Sequence, residues 1–185
     1  TVRDLETVWI YSPTKEHRES FAGEMGGRLD ASVAAVASAG AAVEGADVVV
    51  TATNASEPVF DGGLLDPGTH VTAMGQYDAA KNELDTATIE RATYVPDIRD
   101  RALQDAGSFL HALSAGAIEE DHIHGDLGDV VAGTVPGRES PEEITVFDSG
   151  GPGIETVAGS SLLYEPAVED GPGTTIAAHP GSQAL

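Results

Sequence analysis

Gly45–Asp85, GADVVVTATNASEPVFDGGLLDPGTHVTAMGQYDAAKNELD, holds the two segments that decide the architecture. Val48–Ala52 and His70–Met74 are short apolar runs, each ending in small residues. Such runs, punctuated by Gly and Pro, predict neighbouring strands of a parallel sheet covered on both faces. Ligands of parallel sheets lie just beyond the carboxyl ends of the strands. Here those ends are Thr51-Ala52-Thr53-Asn54 and Ala73-Met74-Gly75-Gln76. Small residues and hydroxyls let a flat, polar ligand lie against the backbone, which points to a dinucleotide.

The same alternation extends in both directions. Upstream, Thr7–Tyr11 predicts a strand, Thr14–Met25 a helix stopped by Gly26-Gly27, Ser32–Val36 a strand and Ser38–Glu44 a short helix stopped by Gly45. Downstream, Asp61–Leu65 predicts one helical turn and Asp66-Pro67-Gly68 a tight turn. Asp85–Arg91 then predicts a helix, Thr93–Pro96 a strand, and Arg99–Ala115 one helix or two broken near Gly107. Asp126–Ala132 predicts a helix, Glu143–Phe147 a strand, and Ile154–Tyr164 a helix burying Ile154, Val157, Ala158 and Leu162. Beyond Pro166 the composition turns to Gly, Pro, Thr, Ala and acids, so residues 1–166 form the folded part and 167–185 a disordered tail. The fold class is α/β: a Rossmann-like parallel sheet with flanking helices. It lacks the first glycine-rich strand-turn-helix unit, because no G-x-G-x-x-G joins a strand to a helix. That unit is expected upstream of Thr1, and a chain that opens on Thr rather than Met is expected to be a fragment or processed product.

Charge narrows the partners. Asp and Glu total 31 against 9 Lys and Arg, a net charge of −22. A polyanion is repelled by nucleic acid and by anionic membranes, so neither is an expected partner. The acids are spread along the chain, as on the proteins of salt-accumulating halophiles, whose cytoplasm screens the self-repulsion. A cytoplasmic location is expected: no apolar run is long enough to cross a bilayer and no signal-peptide pattern opens the chain. Cys is absent, which excludes disulfides and thiolate metal sites.

Two clusters carry candidate chemistry. Tyr11-Ser12-Pro13-Thr14-Lys15 follows the first strand. In a Rossmann fold an acid at the end of the second strand accepts from the adenosine 2′-hydroxyl and selects NAD. Ser12, Thr14 and Lys15 instead offer hydroxyls and a cation for a 2′-phosphate, so NADP is slightly favoured over NAD. A plain helix cap by Ser12 or Thr14 is the competing reading. In the second cluster, after Gly75, Asp78 is a candidate general base and Lys81 a candidate for orienting a carboxylate or the cofactor. A solvated polar loop is the alternative there.

VVVTATNASEPVF, HVTAMG, KNELD, GSFLHALSAG, PGRESPEEITVFDSGG and GIETVAGSSLLYE, in this order from Thr7 to about Pro166, resemble the ornithine cyclodeaminase/mu-crystallin family. The resemblance implies an NAD(P)-dependent oxidoreductase acting on an amino or imino acid, of the imine reductase or amino-acid dehydrogenase type, and a homodimer when full length. It implies cofactor contacts at Thr51, Ala52 and Thr53, at Ala73, Met74 and Gly75, and at Ser149, with Lys81 in the family's GKxEL-like motif. One departure matters. Where cyclodeaminases carry an aspartate two residues after the glycine, this chain has Tyr77, and the nearest acid is Asp78. Ornithine cyclisation with release of ammonia is therefore an alternative, as is a non-catalytic ligand-binding relative of mu-crystallin. The family's substrate-binding cations and glycine-rich turn lie in an N-terminal half, so these 185 residues alone are expected to be inactive.

Other motifs read as structural. Asp121-His122-Ile123-His124-Gly125-Asp126 has the density of a metal site but lacks a strand to carry it, and a solvated loop is expected. His111 beside Phe109 and Leu110 reads as packing. Ser140-Pro141-Glu142-Glu143 reads as a capping box. No metal is expected.

Overall fold

The computed structural model describes residues 3–171 and 174. The chain divides at Gly150–Gly151 into two units. In the first, β1 (Thr7–Ile10), α1 (Lys15–Gly26), β2 (Ser32–Ala35), α2 (Ala39–Val43), β3 (Val48–Thr51) and β4 (His70–Ala73) follow in order. Then come α3 (Thr86–Arg91), β5 (Thr93–Pro96), α4 (Arg99–Asp105), α5 (Gly107–Ser114), α6 (Leu127–Ala132) and β6 (Thr145–Asp148). Boundaries fall within about two residues of the sequence reading, because glycines and caps set them locally. Gly45, Gly116 and Gly133 take positive φ just past α2, α5 and α6. Asp85 caps α3: one carboxylate oxygen accepts from Thr88 N–H at 2.8 Å, the other from Gly62 N–H at 2.8 Å. The cap thereby also fastens the 3-10 turn Gly62–Leu64.

All pairings are parallel. β1 and β2 form a two-stranded sheet, and the other four strands form a second in the order β3-β4-β6-β5. Its register aligns Thr51 with Ala73, Ala73 with Asp148, and Asp148 with Pro96. The carboxyl ends of four strands thus stand in one row. Neither β1 nor β3 has a second neighbour among the described residues. A cleft of about 640 Å³ runs between them, lined among others by Leu5, Trp9, Ala42, Val48 and Val50.

One expectation is corrected here. Burial is complete on one face only: the other face is exposed on β3 and half-buried on β4, β5 and β6. Val49, Val71, Tyr94 and Val146 join the core with Val43 of α2, Ile89 of α3, Ala102 of α4, and Phe109 and Ala112 of α5. Tyr94 and Phe109 stack with ring centroids 4.8 Å apart. On the opposite face of β3, Val48 and Val50 are exposed. An apolar run read as doubly buried in the sequence is an alternating strand in this chain.

The second unit is described by itself. α7 (Gly153–Asp170) runs through Pro166 to Asp170, past the expected end of the folded part. Apart from Gly171 and Thr174, the rest of the expected tail lies outside the described residues. Its expected buried stripe is also corrected: Ile154, Val157, Ala158 and Leu162 are exposed. Helical spacing shows that apolar residues share a face, not that anything covers it.

α1 provides a stability test. Gly23 lies inside this helix, exposed, and a Cβ added there would meet nothing within 4 Å. Gly23→Ala is expected to stabilise the fold by about 0.5–1 kcal/mol, by restricting the unfolded chain at no steric cost. Urea denaturation measures it, and a loss of stability contradicts it.

Candidate functional site

The row of strand ends is where the sheet presents its loops. After β3, Ala52, Thr53 and Asn54 are exposed, and after β4 so is Met74. Thr51, Ala73 and Gly75 are buried beneath them. The Thr51 hydroxyl is already committed, donating to Glu83 Oε2 at 2.8 Å. Thr51 and Ala73 therefore shape the floor of the site, and the residues reaching its surface are Ala52, Thr53 and Met74. Ser149, just past β6, is half-buried and donates its N–H to Ala73 O at 2.9 Å, which extends the row.

The loop after β4 folds back over these ends. Lys81 N–H donates to Asp78 O at 2.8 Å, closing a tight turn. Asp78 is exposed, and its Oδ1 accepts from Ala80 N–H at 2.8 Å. Lys81 Nζ donates to Asn54 O at 3.1 Å, so the loops after β3 and β4 meet at this cation. Tyr77 is 52% exposed, so the side chain standing in place of the family's aspartate reaches solvent. Gln76 and Asn82 are buried, and Gln76 Oε1 and Asn82 Oδ1 have no hydrogen-bond partner. Asn82 Nδ2 donates to His111 Nδ1 at 3.2 Å, so exposed His111 belongs to this loop rather than to the core.

Sequence reasoning missed what holds the site together. Asp148, at the end of β6, is fully buried. It accepts from Gln76 Nε2 at 2.6 Å, from Arg101 Nη2 at 2.6 Å and from the Tyr94 hydroxyl. Arg101 also donates to Asp97 at 2.8 Å and to Asp105 at 2.9 Å. Asp97 in turn accepts from Gly150 N–H at 2.6 Å, which fixes the turn containing Ser149. Burial pushes the Asp148 carboxyl above the usual carboxylate range, against the pull of Arg101. Burial and then the neighbouring Asp148 raise the Tyr94 phenol well above its ordinary value. A polar residue closing an otherwise apolar strand, TVFD, was the available signal.

Ser12, Thr14 and Lys15 stand apart, at the end of β1 in the two-stranded sheet. Thr14 occupies the N-cap position of α1 without a side-chain cap bond, so its hydroxyl is not spent on the helix. Lys15 pairs with Glu19 at 3.7 Å on the surface. A second cation joins them: Arg18 Nη1 donates to Ser12 O at 2.8 Å, with the guanidinium over the Tyr11 ring. This cluster and the β3–β4 loops belong to different sheets.

The remaining motifs hold structure. His122 Nε2 bonds Ile89 O at 2.7 Å and His124 Nε2 bonds Pro136 O at 2.8 Å. The expected capping box is corrected: no helix follows Ser140. Glu143 N–H closes a turn onto Ser140 O, and its carboxylate accepts from Glu139 N–H and from Thr93 Oγ1.

A parallel sheet with its strand ends aligned and the next loop folded over them defines an α/β domain of the doubly wound type, whose ligand-facing edge is the row of strand ends. The chain belongs to the ornithine cyclodeaminase/mu-crystallin family, whose model matches residues 1–171. It is 37% identical over 176 residues to a Delta(1)-pyrroline-2-carboxylate reductase of Bacillus cereus, covering 95% of this chain and 54% of that protein. Among solved structures, it resembles the Thermococcus litoralis Delta(1)-pyrroline-2-carboxylate reductase in complex with NADH and L-proline, at TM-score 0.91 and 36% identity, covering 95% of this chain and 54% of that one. It also resembles an archaeal alanine dehydrogenase dimer with bound NAD, at TM-score 0.86 and 33% identity, covering 96% and 54%. The chain thus spans about half the length of these relatives.

Proposed function

We propose that this chain is the cofactor-facing portion of an NAD(P)-dependent oxidoreductase that reduces an imino acid or oxidises an amino acid. The observation that carries this reading is the row of parallel strand ends, tipped by Ala52, Thr53 and Met74 at the surface. The solved relatives with NADH or NAD bound support it. The residues present suit the nicotinamide end of such a cofactor: the tips of β3 and β4 carry no charge, and the amide oxygens of Gln76 and Asn82 lack donors. They do not suit its phosphates, since no glycine-rich turn joins a strand to a helix among the described residues. In this reading, a further parallel strand bringing that turn would occupy the cleft between β1 and β3.

When bound, a nicotinamide supplies or accepts the hydride. In this reading, Lys81 fixes the rim of the site through Asn54 and orients the cofactor or a substrate carboxylate. Asp78 handles the proton from the same turn. Tyr77 in place of an aspartate favours plain imine reduction over cyclodeamination. A non-catalytic relative is the second reading that Tyr77 favours. Substrate-dependent change at the nicotinamide absorbance band separates the oxidoreductase from both, since a cyclodeaminase releases ammonia without net NADH.

The proposal extends to NADP preference, a homodimer when full length and a salt-rich cytoplasm. No helix among the described residues is long and apolar enough to cross a membrane. The test is titration of NADH and NADPH in molar KCl, with the chain alone and joined to any coding sequence upstream of Thr1. Binding to the joined form supports the reading, and no binding by either form overturns it. With the binding form, replacing Ser12 and Thr14 together by Ala is expected to cost about tenfold in NADPH affinity, the scale of one charge-assisted hydrogen bond, with little change for NADH. Equal losses contradict the 2′-phosphate assignment.

A further inference from the structure

The last ladder bond between β3 and β4 is Met74 N–H to Thr51 O, at 2.9 Å. Past this point a single side chain bridges the two loops. Glu83 is 0% exposed. Its Oε1 accepts from Thr53 N–H at 2.5 Å. Its Oε2 accepts from Gly75 N–H at 2.7 Å and from the Thr51 hydroxyl at 2.8 Å. Both oxygens act as acceptors and every partner is a donor, the pattern an ionised carboxylate satisfies. Gly75 is required by this arrangement: a Cβ there would stand 2.1 Å from Thr53 O and 2.5 Å from Glu83 Oε1. The backbone of Glu83 is held as well, its carbonyl accepting from Val59 N–H at 2.9 Å.

We propose that Glu83 is the positioning residue of the site, a buried clamp that sets the peptide planes of Thr53 and Gly75 and so aims the two strand tips at the cofactor. This rests on the oxidoreductase reading for what the tips face, not for the clamp itself. The clamp has a chemical consequence. Because Glu83 consumes the Thr53 and Gly75 N–H groups, these two donors are not available to an anion. Tips with these donors withdrawn fit an uncharged amide-bearing ring better than a phosphate. A sheet-end loop left to itself would turn its N–H groups to solvent or ligand, as phosphate-binding loops do.

The experiment is amide hydrogen exchange by NMR on the full chain, wild type and Glu83→Gln, followed by NADH titration of the binding form. In the wild type, Thr53 N–H should be protected although the residue is exposed and beyond the ladder. Exchange at the free-peptide rate overturns the clamp without needing a variant. In E83Q one acceptor becomes an NH₂ group facing a donor. Exchange at Thr53 or Gly75 should rise about tenfold or more, with Val49 and Val71 unchanged, as expected for loss of a hydrogen bond to a charged acceptor. A general rise across β3 and β4 would mark a merely structural role and overturn the proposal. Thr51→Val removes the hydroxyl alone and should leave both amides protected. NADH affinity should fall about tenfold in E83Q, and unchanged affinity overturns the positioning role. Protected amides together with no NADH binding by either the chain alone or the joined form overturn the oxidoreductase reading and leave the clamp standing.

Discussion

Arg101→Met is expected to cost about 3–5 kcal/mol of folding free energy, the range for removing one partner of a buried ion pair. Arg101 is 14% exposed and bridges two carboxylates, Asp97 and Asp148, whose side chains are both 0% exposed. Methionine fills a similar volume, so the loss reports charge and hydrogen bonds more than a cavity. In the variant, Asp148 keeps the Tyr94 hydroxyl and the Gln76 amide but no cation. The sign of the pH dependence follows from the direction of its shift. Asp148 sits above its ordinary pKa because it is buried. A carboxyl raised in the folded state adds stability where it is protonated, and that contribution is lost as pH rises through the folded value. Arg101 offsets the loss by stabilising the carboxylate. Without it the folded value climbs further, so the deficit of the variant should be largest near neutrality and shrink on acidification. Urea denaturation of both proteins at about pH 7.5 and about pH 5 tests this. A deficit that grows in acid, or stays under about 1 kcal/mol throughout, contradicts it.

The cations of this chain are few, and most of them tie loops to the scaffold. Arg91 donates to Gly62 O and Leu65 O, Arg99 to Glu120 O and Ile123 O, and Arg138 to Glu143 O. The surface pairs Lys15–Glu19 and Arg28–Glu24 are exposed one-turn helix pairs, worth little individually. At a net charge of −22 the cations are outnumbered by acids, yet backbone carbonyls take most of the guanidinium bonds among the described residues. Uncharged acceptors are not weakened by salt as exposed ion pairs are. That is a coherent use of scarce cations for a protein proposed to work in molar salt.

Element identity was legible in the sequence because its determinants are local. Gly45, Gly116 and Gly133 announce helix ends, and Gly107 marks the break between α4 and α5. The strand tips were legible for the same reason: a short apolar run followed by Ala, Thr or Gly. What was not legible depends on pairing at long range. β6 inserts between β4 and β5, and nothing in EITVF specifies its neighbours. Asp148 and Arg101 meet across 47 residues, and Thr51 and Glu83 across 32. Glu83 was visible only as one letter of KNELD, where Lys81 stood out as the cation three residues after the candidate base Asp78 and as the lysine of the family's motif. Lys81 holds one carbonyl at the rim, and Glu83 holds two loops from below. Apolar periodicity failed at α7 and at Val48 and Val50 because a pattern specifies a face, while burial requires a second surface.

Gly107→Ala is expected to be the other severe substitution, with a loss of about 3 kcal/mol, at the upper end for overpacking. Gly107 opens α5 directly against the loop after β4, and its N–H donates to Gln76 O at 2.9 Å. A Cβ there would lie 1.7 Å from Lys81 O, 2.7 Å from Asp78 O and 2.8 Å from Lys81 C. All three are backbone atoms, so no rotamer change relieves the clash. Either α5 withdraws, opening the packing of Phe109 against Tyr94, or the turn from Asp78 to Lys81 moves away. The first response loosens the core, and the second separates Lys81 from Asn54 and displaces the candidate proton-handling group. The two are distinguishable. If the helix yields, stability falls and the fluorescence or NMR signature of the Tyr94–Phe109 pair changes. If the turn yields, the stability loss is smaller and NADH affinity in the binding form falls at least about tenfold, the scale of one charge-assisted hydrogen bond. Gly23→Ala in the open helix α1 moves in the opposite direction, so the pair of substitutions isolates close approach from the general effect of replacing glycine in a helix. A G107A protein as stable as the wild type, with unchanged NADH affinity, would mean that α5 does not rest on this turn.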